Sequence, residues 1–74
     1  MKNSFTVQEA HSGTSSKEIE KAKRLFREKV KSGEFTPYTD DIKIVFSDVN
    51  YEIWADFYDN LEEESHRIGS VCIN

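Results

Sequence analysis

The side chains that most often carry chemistry are far apart in this sequence. Two histidines, His11 and His66, and one cysteine, Cys72, stand among fourteen acidic residues, and they lack the paired spacing of a metal-ligand set. His66 follows a serine and lies beside an acidic run, but adjacency in sequence does not make a catalytic triad. Three separated glycines do not make a phosphate-binding loop. We therefore expect no enzyme, no catalytic residues, no metal site and no cofactor.

Composition limits the classes of protein that remain. The chain has 74 residues and a formal net charge of −4, which suits one small acidic domain. We place that domain at 15–74, and residues 1–14 form an N-terminal arm or an edge strand. A single cysteine cannot form an intrachain disulfide, and no segment approaches the roughly 20 apolar residues of a membrane span. These features predict a cytoplasmic protein that does not enter a membrane.

One amphipathic helix is the clearest element. Ser15 and Glu18 have the spacing of a capping box, in which each side chain satisfies a free amide of the other residue. Gly33 suits the left-handed residue that follows many helices. The sequence predicts a helix over about 16–32. Its apolar stripe is formed by Ile19, Ala22, Phe26 and Val30.

The second half of the chain predicts strands. Segments of about 41–46, 51–58 and 67–73 fit a three-stranded antiparallel β-meander, with a possible extra N-terminal edge strand at 4–9. Residues 49–64 also fit helical spacing, but a helix there would leave two tyrosines off its apolar stripe. We prefer the strands. The predicted fold class is α+β, with the amphipathic helix packed on the sheet.

We expect the register of each hairpin to place apolar residues opposite one another. A four-residue turn at 47–50 sets Phe46 opposite Tyr51. A second turn at 61–64 places Cys72 on the helix side of the sheet, where it would be a small buried residue.

The other face of the predicted sheet is unusually apolar. Trp54 stands on it between Lys43 and Val71, with Tyr58 and Ile73 nearby. The N-terminal segment, a second copy of the chain or a partner protein would have to cover such a face. The predicted protein-binding residues are this face and its acidic rim: Val45, Glu52, Trp54, Asp56, Tyr58, Glu62, Glu63 and Glu64.

Charge is segregated along the chain. The segment 15–32 carries seven basic and three acidic residues, whereas the rest carries three basic and eleven acidic ones. A basic helix face suits phosphates. However, Glu20 and Glu28 lie within that face at i, i+4 spacing from Arg24, which is typical of a solvated, ion-paired helix. The candidate nucleic-acid-binding residues are Lys17, Lys21, Arg24, Arg27 and Lys31.

These patterns favour a small acidic module, an adaptor or inhibitor, that occupies the surface of an unidentified partner protein. Central aromatic residues would supply most of the affinity, and carboxylates would supply association rate and specificity. Size and charge suggest a phage or mobile-element product directed at host machinery, an expectation that no single residue carries. The alternatives are nucleic-acid binding through the basic helix and a structural homodimer formed through the exposed sheet face.

Overall fold

A computed structural model describes residues 3–9, 15–60 and 66–74. Four strands form one sheet in the order β1 (Ser4–Glu9), β2 (Asp41–Val49), β3 (Glu52–Asp59) and β4 (His66–Cys72). Strand β1 is parallel to β2, and the other two pairs are antiparallel. The predicted α+β class is confirmed, as are the helix and the extra edge strand. The helical alternative for residues 49–64 is wrong, because Glu52–Asp59 is a strand. The helix α1 (Ser16–Ser32) lies between β1 and β2 in the chain.

Helix α1 begins and ends where the local signals predict. The Glu18 backbone N–H donates to Ser15 Oγ at 3.2 Å, and the Ser15 N–H donates to Glu18 Oε1 at 2.8 Å. At the other end Gly33 has a φ of 88°, and its N–H donates to the Val30 carbonyl at 3.1 Å. Both caps satisfy backbone groups that a helix end leaves free.

The core lies between α1 and one face of the sheet. Phe26 is fully buried at its centre, with its ring centroid 4.8 Å from that of Phe57 and 5.6 Å from that of Phe5. Phe35, from the connector after the helix, also belongs to this cluster, with its ring centroid 5.9 Å from that of Phe26. The buried apolar residues are Ala22, Phe26, Phe35, Ile42, Ile44, Phe46, Ala55, Phe57, Val71 and Ile73.

The predicted register of the β2–β3 hairpin is wrong by four residues. Phe46 pairs with Ala55 instead of Tyr51, because the connection is a two-residue turn at Asn50 and Tyr51. Both turn residues have positive φ, 50° and 67°. This left-handed geometry matches the twist of the flanking strands and allows a longer ladder. The error is an even number of residues, so every side chain of the hairpin keeps its predicted face.

The β3–β4 pairing contains an irregularity that the predicted register lacks. Phe57 pairs with Gly69 whereas Tyr58 pairs with Arg67, so Ile68 is the extra residue of a bulge. Glycine is required there, because a Cβ on Gly69 would overlap the ring of Phe35.

The bulge reverses the faces of the last residues. Val71 and Ile73 are buried on the helix side of the sheet, at 6% and 3% exposure, and the prediction that put them on the opposite face is wrong. Cys72, predicted on the helix side, pairs with Trp54 instead and is half-buried. A one-residue shift exchanges the two faces of a strand, which explains all three errors.

Candidate protein-binding surface

The face of the sheet that is turned away from α1 carries no layer of described residues. The helix and the connector 33–40 pack on the other face, and β1 extends the sheet sideways instead of covering it. The predicted cover by the N-terminal segment is therefore not provided by β1. We call this surface the open face. Its residues are Lys43, Val45, Ser47, Val49, Glu52, Trp54, Asp56, Tyr58, Arg67, Ser70 and Cys72.

Five predicted binding residues meet on the open face. Val45, Trp54, Asp56 and Tyr58 are half-buried, and Glu52 is exposed. The three remaining predicted residues, Glu62 to Glu64, lie outside the described part of the chain. The structure thus places the five described residues on one face of the sheet.

The neighbours of Trp54 differ from those predicted. Ser47 of β2 and Cys72 of β4 are its cross-strand partners, in place of Lys43 and Val71. The positions beside the indole ring are therefore filled by small side chains without charge.

A shallow depression of about 290 Å³ lies on the open face, where small side chains stand beside large ones. Small serines on the two flanking strands leave space beside the larger side chains of β3. The indole N–H of Trp54 donates to Glu52 Oε1 at 3.3 Å, which fixes the polar edge of the ring. The depression is lined by Ser47, Val49, Glu52, Trp54, Asp56 and Ser70.

The exposed β2–β3 turn adds apolar surface next to the depression. Val49 is 50% exposed and Tyr51 is fully exposed. The side chain of Asn74 holds the turn in place: its Oδ1 accepts from the Ile53 N–H at 2.8 Å, and its Nδ2 donates to the Tyr51 carbonyl at 3.3 Å. The tip is therefore fixed at its base while its tyrosine ring faces solvent.

Asp59 forms a second polar cluster, on the helix side of the sheet, that the sequence analysis missed. Its carboxylate is fully buried. The backbone N–H groups of Tyr38 and Thr39 donate to it at 2.9–3.0 Å, and Thr39 Oγ1 donates at 3.1 Å. His66 Nδ1 lies 2.9 Å from its Oδ2. The signal was present, because the alternation of Ala55 and Phe57 continues to Asp59 and points it inward.

Two opposing effects set the pKa of Asp59. Burial raises the pKa, but the hydrogen bonds from Tyr38, His66 and Thr39 stabilise the ionised form and outweigh it, so the pKa lies below the ordinary value of 3.8. An ionised carboxylate only accepts hydrogen bonds, so His66 Nδ1 is the donor. The His66 ring also stacks on Tyr38, with centroids 3.9 Å apart. The cluster fastens the α1–β2 connector to the sheet.

The residues predicted for nucleic-acid binding all lie on α1. Arg24 Nε is 3.9 Å from Glu28 Oε2. The guanidinium carbon of Arg27 lies 5.4 Å from the Phe5 ring centroid. Lys31 is exposed near the C-terminal end of the helix. A wide open hollow of about 550 Å³ is lined by charged side chains alone: Lys17, Glu20, Lys21, Arg24 and Arg27.

Comparisons with protein-family models, with curated proteins and with solved structures find no match to this chain. Among residues 3–9, 15–60 and 66–74, no three histidine, cysteine or acidic side chains come together in a way that would hold a metal ion. No helix in the described ranges is long and apolar enough to cross a membrane.

Proposed function

We propose that this chain is a small protein-binding module, an adaptor or inhibitor, that acts by covering a partner's surface with its open face. The observation that carries the proposal is the aromatic centre of that face. Trp54 and Tyr58 lie on one strand between neighbouring strands, and no described element packs over them. Aromatic residues that are desolvated at the centre of an interface usually dominate its affinity.

The sheet gives this surface the rigidity that binding requires. Trp54 and Tyr58 lie on β3, which is paired along both edges, so their backbone is already ordered before a partner arrives. A preorganised surface loses less conformational entropy on association than a loop does. The carboxylates of Glu52 and Asp56 beside the aromatic rings favour partners with complementary positive charge.

Nucleic-acid binding through α1 is the second candidate. It is supported by the row of cations around the open hollow of the helix. Two observations weigh against it. Arg24 is close to Glu28 and Arg27 lies over Phe5, so both cations already have neighbours within the chain. The overall charge of −4 also opposes a polyanion.

Affinity capture from a lysate of the source cells, treated with nuclease, separates these candidates. The baits are the wild-type chain, Trp54→Ala and the double charge reversal Arg24→Glu/Arg27→Glu. We expect one protein to be retained by the wild type and by the charge reversal, and to fall about tenfold or more with Trp54→Ala. The isolated partner must then bind the purified wild-type chain directly.

Two results would contradict the proposal. One is capture that disappears with nuclease or with the charge reversal, which would move the function to α1. The other is a melting temperature that rises with protein concentration together with self-association lost in Trp54→Ala, which would identify a homodimer. Glu52→Lys, a change at an exposed position, tests the face independently if Trp54→Ala does not fold.

A further inference from the structure

Strand β3 presents carboxylates and aromatic rings in alternation on the open face. Going away from the β2–β3 turn, these side chains are Glu52, Trp54, Asp56 and Tyr58. Alternate residues of a strand share a face, so the four side chains form one row that crosses the centre of the open face.

Cations from the neighbouring strands already contact the half of this row that lies away from the turn. Arg67 Nη2 is 3.3 Å from Asp56 Oδ1, and the same atom donates to Ser70 Oγ at 3.2 Å. Lys43 Nζ lies 5.5 Å from the ring centroid of Tyr58. The chain itself thus shows how this face receives a guanidinium and an ammonium group.

Among the described residues, no such cation lies at the half of the row nearest the turn. Within the described ranges, Glu52 forms no ion pair and no lysine or arginine lies over the Trp54 ring. The two side chains hydrogen-bond to each other. The residues directly opposite Trp54 are Ser47 and Cys72, which carry no charge. This is also where the depression lies, and none of its lining residues is basic.

We infer that the depression beside Trp54 receives a lysine or arginine side chain of the partner polypeptide. The inference rests on the proposed function and adds the chemistry of the contact. The aliphatic stem would pack beside the indole ring, and the cationic head would meet the carboxylates of Glu52 and Asp56. A volume of about 290 Å³ suits one long side chain and is small for a drug-sized ligand.

The charges explain why the occupant is cationic. Glu52 is exposed and Asp56 is part-buried. Within the part of the chain that the structure describes, Asp56 pairs with Arg67 and Glu52 has no ion pair. An apolar side chain entering the depression would desolvate these carboxylates without compensation, whereas a cation would pair with them. An acidic side chain would be repelled.

A selection from a library of random short displayed peptides tests this inference without knowledge of the natural partner. The peptides are selected on the wild-type protein and counter-screened on Glu52→Lys, which places a cation beside the depression from within the chain. Glu28→Lys, an exposed charge reversal on α1, is the matched control. Trp54→Ala, which removes the indole ring, is screened in parallel. Circular dichroism and thermal melting establish that all four proteins are folded.

We expect the selected peptides to share a lysine or arginine at one fixed position, to be lost by Glu52→Lys and to be kept by Glu28→Lys. A synthetic peptide with arginine at that position should bind at least about tenfold more tightly than its uncharged citrulline counterpart. Its affinity should fall with rising salt concentration.

The other outcomes overturn the inference in distinguishable ways. Peptides that depend on Trp54 but share no basic residue would refute the cationic occupant and leave the open face as a binding surface. Peptides that bind Trp54→Ala and Glu52→Lys as well as the wild type would refute both the inference and the proposed function. Equal affinity of the arginine and citrulline peptides would also refute the inference.

Discussion

Asp59 of β3 and His66 of β4 pair across the sheet, with Asp59 Oδ2 2.9 Å from His66 Nδ1. The same carboxylate accepts hydrogen bonds from the Tyr38 and Thr39 backbone. One buried acid therefore joins the two strands to the connector that leads from the helix. Its contribution is structural, and it makes the stability of the fold depend on pH.

The first prediction is that the chain loses stability in acid through Asp59. Because the pKa of Asp59 is lowered by folding, the ionised carboxylate stabilises the folded state fully above its unfolded value near 3.8. That contribution is lost as the pH falls through the lower folded pKa. Urea unfolding measured between neutral pH and this acidic range should show the loss.

Asp59→Asn provides the comparison for this prediction. It should lower the free energy of unfolding at neutral pH by about 1–3 kcal/mol, because an amide cannot accept all the hydrogen bonds that the carboxylate accepts. It should also make the free energy of unfolding less sensitive to acidic pH. Asp40→Asn, an exposed carboxylate in the same connector, is the matched control and should behave like the wild type. An unchanged acid profile in Asp59→Asn would refute this account.

The second prediction concerns the close contact between Gly69 and Phe35. Gly69→Ala should lower the free energy of unfolding by about 1–3 kcal/mol, because the added methyl group overlaps the Phe35 ring. In a Phe35→Leu background the same change should cost less, because the ring is absent. A double-mutant cycle measured by chemical denaturation tests this. An equal cost in both backgrounds would exclude the overlap as its cause.

The third prediction is that the β2–β3 turn is not optimised for stability. Tyr51 has a φ of 67° and a fully exposed side chain. A left-handed conformation costs a residue with a Cβ about 1–2 kcal/mol, and Asn-Gly is the favoured pair in such turns. Tyr51→Gly should therefore raise the melting temperature, whereas Tyr51→Ala, which keeps the Cβ, should not. Equal melting temperatures of Tyr51→Gly and Tyr51→Ala would contradict this prediction.

Local signals allowed the helix to be predicted to the residue. The capping pair Ser15–Glu18 and the left-handed Gly33 act within one turn of the chain, so distant contacts do not change them. The faces of β2 and β3 could be predicted for a similar reason. The alternation of side chains is a local property, and an error of four residues in pairing left Phe46 in the core.

The placement of β4 could not be predicted from local patterns. Its bulge depends on the contact of Gly69 with Phe35, which belongs to a distant connector. The same limit applies to the candidate site. Trp54, Tyr58 and their intervening carboxylate share a strand and were predicted together. Ser47 and Ser70, which complete the depression, depend on the register of two neighbouring strands.

The fourth prediction uses the fact that Trp54 is the only tryptophan of the chain. Incorporation of 5-fluorotryptophan gives a single fluorine resonance at the centre of the open face. The protein that nuclease-treated affinity capture isolates is added to the labelled chain, and complex formation is verified independently by co-elution in gel filtration.

We expect this resonance to shift or broaden as the complex forms, because the partner covers the indole ring. The matched variant Arg24→Glu/Arg27→Glu should show the same change, since α1 lies on the other side of the sheet. A complex that forms while the resonance of Trp54 stays unchanged would contradict the central claim that the open face is the binding surface.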